Sequence, residues 1–280
     1  MDALNLEMFL PEGFKPYLLI KIFFVKLLLK LLLKLSTLKT LSLNLKMNLA
    51  PKPLIQMNPT KGSRYYLNEE KPSLKYASVT AILAATQSEQ MKKSIDFWRQ
   101  SLIKKGEDPK EALTKAARRG SDIHQWADDW LSVRDPDMPS YIAPWCHYIK
   151  KAPLWKHVDE VLCTEQQICC DQGIYPFAGT FDALLKIKGQ TVLFDFKTKN
   201  PEKKYPTKDV SDEALCQMQA YRMGLREGHG IEVDRFIAFY VFPDQPTYPV
   251  SADKKSLDKY EKMWNKRLTQ YAKLQEQNNG

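Results

Sequence analysis

The chain has 280 residues, 44% of them hydrophobic and 27% charged, enough apolar material for one large domain or two small ones with a real core. Forty-two Lys and Arg against 33 acids leave a net charge of +9, of which the first fifty residues supply +4 (seven Lys less three acids). The body is therefore mildly basic, compatible with a polyanion without demanding one, and five cysteines with no Cys-x-x-Cys pair speak against a secreted disulfide framework and for a reducing compartment.

Residues 1–56 read as a low-complexity Leu/Lys-rich extension, with no acid between Glu12 and Glu69 and no Arg before Arg64. Lys26, Lys30 and Lys34 would form one basic stripe on a helix, suited to contact with an anionic membrane surface, but lysines interrupt the run too often for a transmembrane span. A secretory signal or an Arg-rich organellar presequence fits poorly. The other reading is that Met47 or Met57 is the true start.

The folded domain is expected over 57–280. Short strand-like pieces in "SRYYLNEEKPSLKYAS" precede a helix start at Ser78 or Thr80. Helical spacing follows in "EQMKKSIDFWRQSLIKK" and "KEALTKAARRGSDIHQWADDWLSV", where Ala116, Ile123, Ala127 and Trp130 share a face, and then in the aromatic-rich "YIAPWCHYIKKA". A strand near 160–170 holds Cys169 and Cys170 as small buried hydrophobes rather than metal ligands. Beyond it come a hairpin, a helix over about 212–227, the strand "RFIAFYVF", and a last helix with Leu257, Tyr260, Trp264, Leu268 and Tyr271 on its core stripe. These elements predict a mixed α/β (α+β) domain with an essentially antiparallel hairpin core and helices packed on it.

The hairpin "GTFDALLKIKGQTVLFDFKTK" carries the chemistry. With Lys188-Gly189 as a two-residue turn, Ile187 faces Gln190, and Phe181/Phe196, Ala183/Phe194 and Leu185/Val192 pair on one face. Leu184/Leu193 and Asp182/Asp195 then pair on the other, with Lys197 beside Asp195. Like charges directly opposed destabilise a sheet. Two readings resolve this: a shared hard cation such as Mg²⁺ or Mn²⁺, or a solvated pair neutralised by Lys197.

The same stretch resembles the PD-(D/E)XK nuclease signature, an aspartate on one strand followed by Asp/Glu-x-Lys on the next. "CQMQAYRMG" is similar to the Gln-x-x-x-Tyr motif of its exonuclease branch, and "RRGSDIHQW" to that branch's Gly-x-x-x-His helix. The three motifs, in order, most resemble the RecB-type exonucleases of phages and bacteria, related to the mitochondrial genome maintenance exonuclease. They cover roughly 60–245 and leave the last helix outside.

The resemblance implies a restriction-endonuclease-like core with a central mixed sheet, an N-terminal helical region and a C-terminal helix. It implies Asp182, Asp195 and Lys197 as catalytic residues, and a Mg²⁺ or Mn²⁺ site made by His124, Asp182, Asp195 and the Phe196 carbonyl. Gln217 and Tyr221 would contact DNA, and Glu165 is the candidate for a further acid. Lys199, Lys203 and Lys204 could track the nucleic-acid backbone. It further implies a cytoplasmic enzyme, in a bacterium or a phage-infected cell, that degrades DNA from a free end in replication, recombination or repair. One or two of Trp98, Trp126, Trp130, Tyr141 and Trp145, beside Arg118 and Arg119, would stack the bases of a single strand.

Overall fold

Lys188 and Gly189, with φ of 50° and 77°, close the hairpin in the turn geometry whose twist matches the flanking strands. The computed structural model describes residues 54–59, 63–132, 134, 136–200 and 205–279. Nearly all of the Leu/Lys-rich extension, and Lys203 and Lys204, lie outside them.

The hairpin strands, β5 (Phe177–Ile187) and β6 (Gln190–Thr198), sit at the centre of an eight-stranded mixed sheet. On one side lie β1 (Leu54–Met57), β2 (Tyr65–Asn68) and β3 (Lys71–Ser78); on the other, β7 (Arg235–Val241) and β8 (Tyr248–Asp253). The long strand β4 (Val158–Cys170) pairs along the second edge of β5. Two junctions, β3 with β5 and β6 with β7, are parallel, so the core is less uniformly antiparallel than expected. A parallel neighbour needs a crossover, and the helix between β6 and β7 supplies one. The sheet begins at Leu54, a buried residue, which moves three residues assigned to the extension into the fold.

Helices α1 (Val79–Ala85), α5 (Lys208–His229) and α6 (Leu257–Asn279) cover one face. All five residues of the expected α6 stripe are buried, and the Trp264 ring meets Phe177 edge-on at 5.1 Å. α3 (Pro109–Leu131) and α4 (Ala143–Lys151) cover the other face, while α2 (Glu89–Lys104) contributes no buried residue. The long helices start and stop where their sequences allow. Asp108 caps α3 by accepting from Lys110 N at 2.8 Å with Pro109 next, and Gly230 at φ 65° ends α5.

The register holds from Ile187/Gln190 to Ala183/Phe194 and then stops. Ala183, Leu185, Val192, Phe194 and Phe196 pack under α3 and α4 as their alternation predicts. Phe181 does not join them. It lies on the opposite face, 6.5 Å from the Tyr221 ring of α5, which corrects its pairing with Phe196. The side-chain parity of β5 thus changes across Asp182. The change falls where the pairing of one edge lapses. β3 holds that edge at Phe177 and Ala178 and β6 holds it from Ala183 onward, so no described strand pairs it from Gly179 to Asp182.

Candidate active site

This unpaired stretch forms the floor of a groove of about 530 Å³ between α3 and α5. His124, Glu165, Asp182, Gln217 and Tyr221 line it, with Arg64, Gln56, Thr80 and Thr198. α3 reaches it by burying Ile123, Trp126 and Ala127 on the sheet, which turns Gly120 and His124, one helical turn apart, toward the notch.

Asp182 does not face Asp195 through cross-strand pairing, as the register predicted. It turns into the notch, where Oδ2 accepts from Phe196 N at 2.6 Å and Oδ1 lies 3.2 Å from His124 Nδ1. N–H and C=O of one strand residue point to the same edge, so the Phe196 carbonyl also faces the notch. Ligand atoms of His124, Glu165 and Asp182 lie within 4.8 Å of one another, the one such group among the described residues. Glu165, at φ 48° on β4, is exposed at the rim of the groove.

Asp195 is 3% exposed. Lys197 Nζ lies 2.6 Å from its Oδ2, a buried ion pair. Lys197 also donates to Gln217 Oε1 at 2.9 Å, and Gln217 Nε2 donates in turn to Tyr221 Oη at 2.7 Å. The motif pair thus holds the lysine. Tyr221 borders the groove but is buried, its ring packed against Gly179, so little of it is open to the DNA it was expected to contact.

Burial raises the Asp195 carboxyl and repulsion from Asp182 adds to this, against the pull of Lys197. Burial would raise Asp182 too, but His124, Lys197 and the Phe196 N–H hold it below the ordinary range. Glu165 is pushed up to about 7 by the enclosing groove wall and by Asp182, with His124 opposing. For His124, burial favours the neutral ring, yet Asp182 and Asp195 outweigh it and bring the imidazole to about 9. Glu165, Asp182 and His124 meet at the notch, while Asp195, near enough to repel Asp182, lies outside the groove lining and that group of ligand atoms and has Lys197 as its counter-charge. A divalent cation fits the notch.

Sequence reasoning missed Gly179, where a Cβ would meet Tyr221 Cε1 at 2.7 Å. Its signal was a glycine inside a strand, the mark of a close approach. Glu165, named as the candidate further acid despite the long spacing between it and the Asp182 strand, is brought to the site beside His124 and Asp182. Of the five aromatics from which one or two were expected at a rim, Trp126 and Trp145 are buried, Trp98 and Trp130 are partly covered, and Tyr141 is 52% exposed.

A family model described as the PD-(D/E)XK nuclease superfamily matches residues 89–278. The match includes α6, which the motif resemblance had left outside. No curated protein matches the chain. Among solved structures, one described as "Crystal structure of SSO0001" is 14% identical, over 67% of this chain and 73% of that one, with a TM-score of 0.34.

Proposed function

The chain belongs to the PD-(D/E)XK nuclease superfamily, and from that premise we propose that it is a Mg²⁺- or Mn²⁺-dependent exonuclease that degrades DNA from a free end and prefers single strands. Membership makes it a nuclease of a metal-dependent class. The finer reading is supported above all by the Lys197–Gln217–Tyr221 chain beside the acidic notch, because it joins the Gln-x-x-x-Tyr motif of the exonuclease branch directly to the Asp-x-Lys strand.

In this reading His124, Glu165, Asp182, Asp195 and the Phe196 carbonyl hold the cation, which supplies charge to polarise the scissile phosphate and to acidify water. The protein does the rest. Gln217 holds the Lys197 ammonium at the buried end of the notch, where it can orient the attacking water or neutralise charge developing on phosphorus. Phe196 N–H and His124 fix the rotamer of Asp182 before substrate arrives. Arg64 offers the groove a cation for the nucleic-acid backbone. An inactive binding subunit would be expected to have lost an acid or the lysine, and all are present.

The test is incubation of the purified chain with end-labelled linear and circular DNA, single- and double-stranded, with Mg²⁺, Mn²⁺ or chelator. Linear single strands should be degraded to short products, blunt duplex more slowly and closed single-stranded circles hardly at all, with activity falling as salt rises. Rapid cutting of the circles would replace this reading with a structure-selective endonuclease on the same core.

A further inference from the structure

Beside the groove, across α3, lies a second cavity of about 430 Å³ lined by Lys115, Arg118, Arg119, Tyr141 and Trp145. Its floor is rigid. The Arg119 guanidinium lies over the Trp145 ring, 4.9 Å from its centroid, and hydrogen-bonds the Asn200 side chain, while Trp145 Nε1 donates to Lys199 O at 2.8 Å. Lys199 and Asn200 directly continue the Lys197-Thr198 end of β6. The cavity is therefore tied to the strand that carries the proposed catalytic lysine. Its neighbours on α3, Ala116, Ala117, Gly120 and Ser121, line the groove itself.

Above this floor stands an aromatic ring with an open surface. Tyr141 is 52% exposed, yet its hydroxyl is pinned to Asp122 Oδ2 at 2.5 Å, so the ring is held in place rather than buried. The Arg118 side chain is 83% exposed, with only a loose 4.0 Å approach to Asp122, and Lys115 pairs with Glu111 at 2.7 Å. The far flank of Tyr141 is different, lined by Asp122, Asp129 and Asp137; Arg134 pairs with Asp129 at 2.7 Å, leaving the flank acidic on balance. A strand leaving the groove is favoured on the side of Lys115, Arg118 and Arg119.

We propose that Tyr141 and Arg118, over the Trp145–Arg119 floor, dock one unpaired nucleobase of single-stranded DNA next to the cleavage groove. This rests on the nuclease reading above and sharpens it. A base stacked on a prepositioned ring is held regardless of sequence, and the arginine can pair with its phosphate or cover the base. A duplex keeps its base faces hidden, so the site would select unpaired strands at the point where they enter or leave the groove.

Anisotropy of a labelled single-stranded oligonucleotide tests it, using the full chain with Ca²⁺ in place of Mg²⁺ to slow cleavage. Tyr141→Ala should weaken binding about tenfold, and Tyr141→Phe, which keeps the ring but loses the bond to Asp122 that fixes it, should fall between that variant and the unaltered protein. One abasic residue walked along the oligonucleotide should weaken binding to the unaltered protein at a single position, and Tyr141→Ala should abolish that dependence. Arg118→Ala should lower the slope of log affinity against log salt by about 0.7, one phosphate contact on a single strand. Unchanged affinity in Tyr141→Ala, or a loss equally large in Tyr141→Phe, overturns the docking site. If the unaltered protein cleaves DNA in Mg²⁺ or Mn²⁺ while those results hold, the docking site alone fails. If it neither cleaves DNA nor binds single strands, the nuclease reading fails with it.

Discussion

The two halves of β5 have the same backbone and different duties. From Ala183 to Ile187 it is paired on both edges, its apolar side chains alternate between two cores, and no carboxylate appears. From Gly179 to Asp182 one edge is open, the parity changes, and Asp182 turns into a groove with three other ionisable ligands nearby. The difference teaches that the site is a place where sheet pairing lapses. An open edge leaves room for a substrate, and backbone groups freed from the ladder, such as Phe196 N–H, become available to orient side chains.

That contrast can be broken most strongly at the open half by losing chemistry without losing fold. Lys197→Met should lower cleavage by about 10²–10⁴-fold and, with divalent cation present to take over the charge pairing of Asp195, leave the melting temperature close to that of the unaltered protein. A matching collapse of the melting curve would make Lys197 a structural partner of Asp195 instead. The closed half should behave in the opposite way. Phe194→Ala removes a fully buried ring that meets Trp155, Phe196 and Phe239, and should cost about 3–5 kcal/mol in a denaturant titration.

Gly179→Ala probes the junction between them. The added methyl would stand 2.7 Å from Tyr221 Cε1, and moving that buried ring should cost about 1–3 kcal/mol. Because Tyr221 Oη takes the hydrogen bond that holds Gln217 in place, cleavage should fall further than stability alone explains. Activity measured well below the melting temperature separates the two effects.

The smallest effect is a pH dependence at the rim. Glu165 has a folded value of about 7, above its unfolded one, so in metal-free protein it favours folding at low pH and loses this as pH rises through 7. Glu165→Gln should therefore raise the metal-free melting temperature at pH 8 and leave it nearly unchanged at pH 5. A gain of equal size at both pH values would show that the carboxylate is not under the repulsion described here.

Local chemistry made much of this molecule legible from its letters. The Lys188-Gly189 turn follows from the need for two positive φ angles, the pairing from Ile187 to Ala183 follows from alternation, and the buried stripe of α6 follows from helical period. The motif residues Asp182, Asp195, Lys197, Gln217 and His124 could be named because their spacing is local to a strand or a helix. What tertiary structure decided was where the hairpin stops pairing. β3 enters beside β5 from a hundred residues earlier in sequence and takes the edge that counting outward from the turn would give to β6. That long-range competition leaves Asp182 to turn into the notch and accompanies the move of Phe181 to the other core, while packing elsewhere brings Glu165 from β4 beside Asp182 and leaves Tyr141 as the exposed one of five candidate aromatics. No periodicity within the hairpin records it, because a strand's period specifies which side chains share a face and not which neighbour its edge will meet.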